Sequence, residues 1–144
     1  EQGVIAAENI MGMEKEIDYK VVPSCVYTRP EIASVGLTEE EAKAQNIDYN
    51  IGVFQLANNS KTVIMNEFEG TLVKIISDKK YDEILGVHIY GPRATDLITE
   101  AALAIKLEAT LDELIETIHA HPTIGEAMKE AALDSRNIAI HAAP

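Results

Sequence analysis

Gly70-Thr71-Leu72-Val73-Lys74-Ile75-Ile76-Ser77 and Ile84-Leu85-Gly86-Val87-His88-Ile89-Tyr90 are two β-rich runs on either side of the charged stretch Asp78-Lys79-Lys80-Tyr81-Asp82-Glu83. Branched and aromatic side chains suit a pleated, half-buried surface, so two such runs around a polar turn predict a β-hairpin. Upstream, 22–28 reads as a strand that ends at Arg29-Pro30-Glu31, and 32–35 reads as a second, broken at Gly36. Residues 47–56 alternate as a strand, with Tyr49, Ile51 and Val53 on one side. Between them, Thr38-Glu39-Glu40-Glu41 is an S/T-x-x-E capping box opening a short helix through Gln45. Residues 57–69 are polar and irregular, which predicts a loop with at most a helical turn.

Downstream of the hairpin the period changes. Leu97, Ile98, Ala101, Ala102, Ile105 and Leu107 make an apolar stripe on a long helix from Pro92. Thr110-Leu111-Asp112-Glu113 caps a shorter helix with Leu114, Ile115 and Ile118 inward, and 124–133 forms the last helix. Strands first and helices mostly later predict an α+β fold, an antiparallel sheet with helices packed mainly on one face. Before the strands, Val4, Ile5 and Glu8 are helix-like, Gly12 ends that helix, and 14–22 is a polar connector. The expected division is therefore 1–22 as the end of a preceding element, 23–134 as the domain, and 135–144 as a tail.

Composition narrows the function. The 144 residues are 47% hydrophobic, enough for a real core. A net charge of -12 argues against nucleic acid, which needs clustered Lys and Arg. No stretch predicts a membrane span or a signal peptide. The single cysteine, Cys25, excludes an intrachain disulfide, and a reduced, cytoplasmic setting is the expectation.

The chemistry gathers in His119-Ala120-His121-Pro122-Thr123-Ile124-Gly125-Glu126. Histidine exchanges protons near neutral pH, and Pro122 biases His121 towards extended backbone. Glu126 can return to a ring nitrogen as an oriented acid–base pair. It can equally complete a capping box with Thr123, and spacing alone does not separate the two. The two histidines would share one face of an extended segment and, with Glu126, could supply a His₂Glu zinc site. No further ligand cluster lies nearby, and no metal is expected. His88 reads as a strand residue with a satisfied ring, His141 as solvated in the tail, and Cys25 as a buried, inert thiol. There is no G-x-G-x-x-G, phosphate loop or nucleophilic serine motif. The site is an acid–base candidate without a nucleophile.

The segment His119-Ala120-His121-Pro122-Thr123-Ile124-Gly125-Glu126-Ala127 resembles the C-terminal signature of the dihydrolipoyl dehydrogenases, within the pyridine nucleotide–disulfide oxidoreductases. The run from Tyr27 to Glu39 resembles the entry to that family's interface domain, and Gly70-Thr71-Leu72-Val73-Lys74 with Ile84-Leu85-Gly86-Val87-His88 resembles its central hairpin. Gly3 to Gly12 resembles the last helix of the preceding FAD domain. Ile124-Gly125 departs from the family's usual Leu-Ser but leaves His121 and Glu126 in place. The His-Pro-Thr-x-x-Glu core is shared with glutathione and mercuric reductases; the His-Ala-His prefix favours the lipoamide branch.

The resemblance implies a homodimer in which His121 is the general base for dihydrolipoamide and Glu126 orients its ring. It implies that FAD and NAD serve the full-length enzyme, with none bound by this segment alone. Backbone at His121 and Pro122 would face the partner's flavin, and His119 would line the substrate path or pack. The implied partners are an acyltransferase or lipoyl-carrier protein of a 2-oxoacid dehydrogenase or glycine cleavage complex. The alternatives are the interface domain of a mercuric or glutathione reductase-like enzyme, or a purely structural dimerisation module.

Overall fold

The computed structural model describes residues 1–142. Its first half runs α1 (Gln2–Ile10), β1 (Ser24–Val26), β2 (Glu31–Gly36), α2 (Glu39–Ala44), β3 (Tyr49–Gln55) and α3 (Ser60–Met65). The second half runs β4 (Leu72–Asp78), β5 (Ile84–Gly91), α4 (Ala94–Lys106), α5 (Leu111–Glu116) and α6 (Glu126–Asp134). The hairpin is β4 with β5, Ile75 opposite Val87, and Asp78 holds its turn by accepting from the Lys80 N–H at 3.0 Å. β2 pairs with the outer edge of β5 and β3 with that of β4, giving one antiparallel five-stranded sheet in the order β1-β2-β5-β4-β3.

Alternation along the hairpin sends Val73, Ile75, Val87 and Ile89 to one face, where all are inaccessible to solvent. Each such residue contributes roughly 1.5–3 kcal/mol by leaving water. α4 covers β2 and β5 on this face through Ile98 and Ala101, α6 covers β3 and β4, and α5 packs on α6. α2 meets the opposite face, where Glu39 pairs with Lys74. The α+β architecture, with helices mainly on one face, is thus as the sequence predicts. No helix among the described residues is long and apolar enough to cross a membrane.

Local boundaries differ from the sequence reading where capping decides them. The first strand is only Ser24–Val26, and a 3-10 turn, Tyr19–Val21, interrupts the connector before it. The supposed loop at 57–69 holds a 3-10 turn and α3. Asn59 caps that helix by accepting from the Lys61 and Thr62 N–H groups, and Asn66 closes it in the left-handed region. Leu107 and Ile118 are 69% and 94% exposed rather than inward. Their helices end at Lys106 and Glu116, so the helical period that would bury them has already stopped.

One contact fixes the spacing of sheet and helix. A Cβ built on Gly52 of β3 would lie 2.0 Å from the Ala131 carbonyl oxygen and 2.6 Å from the Ser135 nitrogen, both backbone atoms of α6 or its C-cap. The Asp134 carboxylate also accepts from the Val53 N–H at 2.8 Å, and the Ser77 and Ser135 hydroxyls lie 3.2 Å apart. Gly52→Ala should lower the unfolding free energy by at least about 2 kcal/mol, since α6 must lift from the sheet. Gly3→Ala, in open space on α1, should leave it unchanged or raise it by up to about 1 kcal/mol. Denaturant unfolding of the two variants reads the contrast.

Candidate active site

Residues 117–125, between α5 and α6, form no regular helix or strand. α5 stops because Thr117 turns extended, with its hydroxyl donating to the Glu113 carbonyl at 2.6 Å. The segment then bends, with a cis peptide at His121–Pro122. Thr123 donates its hydroxyl back to the Ala120 carbonyl at 2.6 Å. The Asn59 side chain, which caps α3, donates to the Thr123 carbonyl at 3.0 Å. α3 and the histidine segment therefore share one buried amide.

The choice left open for Glu126 falls away because its two oxygens do different things. Oε1 lies 2.9 Å from His121 Nδ1, while Oε2 accepts from the Thr123 N–H at 2.9 Å. Only half of the expected capping box forms. Gly125 is the N-cap, and the Thr123 hydroxyl points away to Ala120. Glu126 occupies the first turn of α6, where the helix dipole also favours a negative charge. Burial, the largest influence, pushes its carboxyl up. The Thr123 and His121 hydrogen bonds, with the electrostatic attraction of His121 and His119, outweigh that and hold it below the usual glutamate value. An ionised carboxylate only accepts, so Nδ1 carries the proton and a neutral ring presents its Nε2 lone pair. His121 is 68% exposed, and Nε2 has no hydrogen-bond partner among the described residues.

The two histidines do not share a face, because the segment bends instead of running as a strand. The His119 side chain is only 9% exposed, with Nε2 2.8 Å from Glu100 Oε1 on α4. Its Nδ1 is buried without a hydrogen bond. The Glu100 carboxylate raises His119 above the ordinary imidazole value, with burial opposing. Each imidazole is committed to its own carboxylate, and no group of three or more His, Cys, Asp or Glu among the described residues is arranged to hold a metal. His88 places Nε2 3.0 Å from the Leu37 carbonyl, the satisfied ring expected in a strand. The His141 side chain is mostly exposed, yet its Nδ1 lies 2.8 Å from Glu130 Oε1. Cys25 is half-buried against the core.

His119, His121 and Glu126 line a shallow depression of about 310 Å³ together with Phe54, Asn58 and Ile118. Two larger depressions, of about 820 and 670 Å³, lie beside His88 and beside Arg29 and Arg93. The first has its imidazole spent on Leu37 and the second has none, so neither offers an acid–base pair. The small depression can move a proton at Nε2 of His121; among the described residues no cysteine lines it, and the one hydroxyl in its lining, Ser60, makes no hydrogen bond to His121.

Residues 22–132 match the family described as pyridine nucleotide-disulphide oxidoreductase, dimerisation domain. The chain belongs to this family. Dihydrolipoyl dehydrogenase 2, mitochondrial, from Arabidopsis thaliana is 47% identical over 98% of this chain and 28% of its own length. The dihydrolipoyl dehydrogenase of Bacillus subtilis is 48% identical over 97% of this chain and 30% of its own length. The crystal structure of LpdA from Mycobacterium tuberculosis superposes with a TM-score of 0.83 at 28% identity, covering 91% of this chain and 28% of that one. The chain thus corresponds to a minor part of each of these proteins.

Sequence reading missed Glu100 and Asn59. Glu100 looks like a solvated acid on the polar side of α4, and its histidine is far along the chain. Asn59 carries a usable signal, an asparagine directly before a short helix. The His119–Glu100 pair has a pH signature. Its histidine value lies above the free one of about 6.5, so its stabilisation is full below about pH 6.5 and fades as pH climbs through the raised value. Glu100→Gln should therefore lower the melting temperature most near about pH 6, and the gap should narrow towards about pH 9. A gap that stays constant across that range would count against the pair.

Proposed function

We propose that this chain is the dimerisation domain of a dihydrolipoyl dehydrogenase, with His121 as general base and Glu126 as its orienting carboxylate. The observation that carries the reading is the 2.9 Å His121–Glu126 contact that leaves Nε2 open on a site with no cysteine among its described lining residues. A homodimer would bring that nitrogen to a redox disulfide of the other subunit.

Dihydrolipoamide offers a thiol whose free pKa is about 8.5, and only the thiolate attacks a disulfide. Nε2 of His121 takes the thiol proton while Nδ1–H stays on Glu126. The carboxylate fixes the tautomer and stabilises the imidazolium, as the carboxylate does in a serine-protease triad. As the substrate's sulfurs join in a disulfide, the protein's disulfide is reduced to two thiols, so two electrons and two protons leave the substrate. Without a phosphate loop or G-x-G-x-x-G, this chain has no nucleotide cradle, and FAD and NAD would be held by other parts of the intact enzyme. The chemistry a bound flavin would supply is acceptance of the electron pair for delivery to NAD. What this chain offers a partner's flavin is the exposed His121–Pro122 backbone, whose carbonyl at His121 makes no hydrogen bond among the described residues.

The substrate would arrive on an acyltransferase or lipoyl-carrier protein of a 2-oxoacid dehydrogenase or glycine cleavage complex. Residues 1–22 would belong to the end of an FAD domain, and 135–144 to a tail. A cytoplasmic setting stays within the proposal, beside the mitochondrial one that the name of the Arabidopsis relative carries. The competing reading, a purely structural module, draws on the Glu126–Thr123 hydrogen bond.

Two substitutions in the intact flavoenzyme separate the readings. His121→Gln should cut dihydrolipoamide oxidation by about 10³-fold or more while the flavin stays bound. Glu126→Gln should cut it by about 10²-fold with little loss of stability, because glutamine still accepts from Thr123. Near-normal turnover of His121→Gln would remove it from the chemistry. A stability loss without a rate loss for Glu126→Gln would favour the structural module. This chain by itself should show no NADH-linked lipoamide turnover.

A further inference from the structure

We propose that Glu100 and His119 are a positioning pair that holds the backbone carrying His121 in place, by a tie separate from the one to Glu126. The inference rests on the reading of His121 as the base. The segment that bears the base is held sparsely. Thr117 is tied to α5 and Thr123 to Asn59 and Glu126, but between them the hydrogen bond that reaches another element from residues 118–120 is His119 Nε2 to Glu100. Backbone N–H and carbonyl groups of 118–122 make no bond to any helix or strand among the described residues. Without the pair, this stretch would have one long span free to move, and His121 sits at its end.

The anchor itself is stiff. Glu100 projects from α4, whose Ile98 and Ala101 are fully buried against the sheet. The His119 ring is nine-tenths buried, and its Cδ2 lies 3.6 Å from where a Gly125 Cβ would stand, so it wedges between α4 and the start of α6. The charged groups that face it are Glu100 from α4 and Glu126 and Lys129 from α6. If packing were all that mattered, a leucine would serve better. The imidazole keeps a buried Nδ1 with no well-formed hydrogen bond, only the backbone of Thr117 in its own segment as a polar neighbour, which costs stability. What a leucine lacks is a directional bond, and such a bond specifies where the segment lies. An angstrom of misplacement at a proton-transfer site is worth up to about a hundredfold in rate.

The test uses the intact, flavin-loaded enzyme with Glu100→Ala, His121→Gln and the double variant. A positioning pair acts only through His121. Glu100→Ala, which leaves His119 Nε2 no acceptor, should lower kcat for dihydrolipoamide about tenfold, leave KM within about twofold, and cost nothing further in the His121→Gln background. Turnover of Glu100→Ala within about twofold of the parent, or losses that multiply in the double variant, would overturn the proposal while leaving His121 as the base. Should His121→Gln alone keep near-normal turnover, it is the functional reading that falls, and this inference with it. His119→Leu cuts the same bond from the loop side and is read by the same criteria if Glu100→Ala does not retain flavin.

Discussion

Helix α6 lies on strand β3 so closely that position 52 has no room for a side chain, and the candidate site inherits its geometry from that contact. A carbonyl oxygen of α6 occupies the space a Cβ would need. Asp134 and Ser135, at the far end of the same helix, then bond to β3 and β4. A helix pinned along its length has little freedom at its other end. Its first residue is Glu126, so the carboxylate that faces His121 across the irregular segment is placed by a helix fixed on the sheet. The segment before it is irregular, yet each of its ties ends on something rigid: α4 through Glu100, the α3 cap through Asn59, α6 through Glu126.

Glu126 shows how one side chain can serve fold and chemistry together. A carboxylate has two oxygens, and the bend at residues 120–123 brings the Thr123 N–H to one and the His121 ring to the other. The two bonds reinforce each other. The N–H helps keep the carboxyl ionised in a partly buried place, and an ionised carboxyl holds the proton on Nδ1. The cap and the dyad are therefore one arrangement. The neighbouring histidine follows the opposite logic, since the carboxylate facing it comes from α4 and its ring is enclosed. Two residues of one H-x-H motif end up in different electrostatic settings because the chain bends between them.

Much of this was legible in the sequence where the signal is local. The hairpin announces itself through branched residues on both sides of a charged turn, and the Thr38 and Thr110 capping boxes form as their spacing predicts. The third box forms by half, because Gly125 intervenes as the cap and frees the threonine hydroxyl to turn back. What the sequence hides is long-range or terminal. α3 is short and capped by asparagines at both ends, without the glutamate that makes a box conspicuous. Leu107 and Ile118 continue an apolar period past the end of their helices, where period no longer implies burial. Glu100 becomes meaningful only when α4 is laid beside residue 119. The family resemblance was carried by the histidine segment and the hairpin together, and the family match covers both.

The surplus of exposed apolar surface takes on a meaning in a dimerisation domain. Ile118 is almost wholly exposed, lines the same depression as His121 and Glu126, and stands three residues before His121. Under the proposed reading, a second subunit that covers Ile118 would also lie against the imidazole. Two effects then oppose. Losing water strengthens the attraction between the Glu126 carboxylate and an imidazolium, and it also penalises the imidazolium itself, which hydration favours. What offsets that penalty is the pairing already in place, with Glu126 Oε1 2.9 Å from Nδ1 and the Thr123 N–H on Oε2. A histidine without a carboxylate at this position would be weakened as a base by the same burial. One held on Glu126 would lose less.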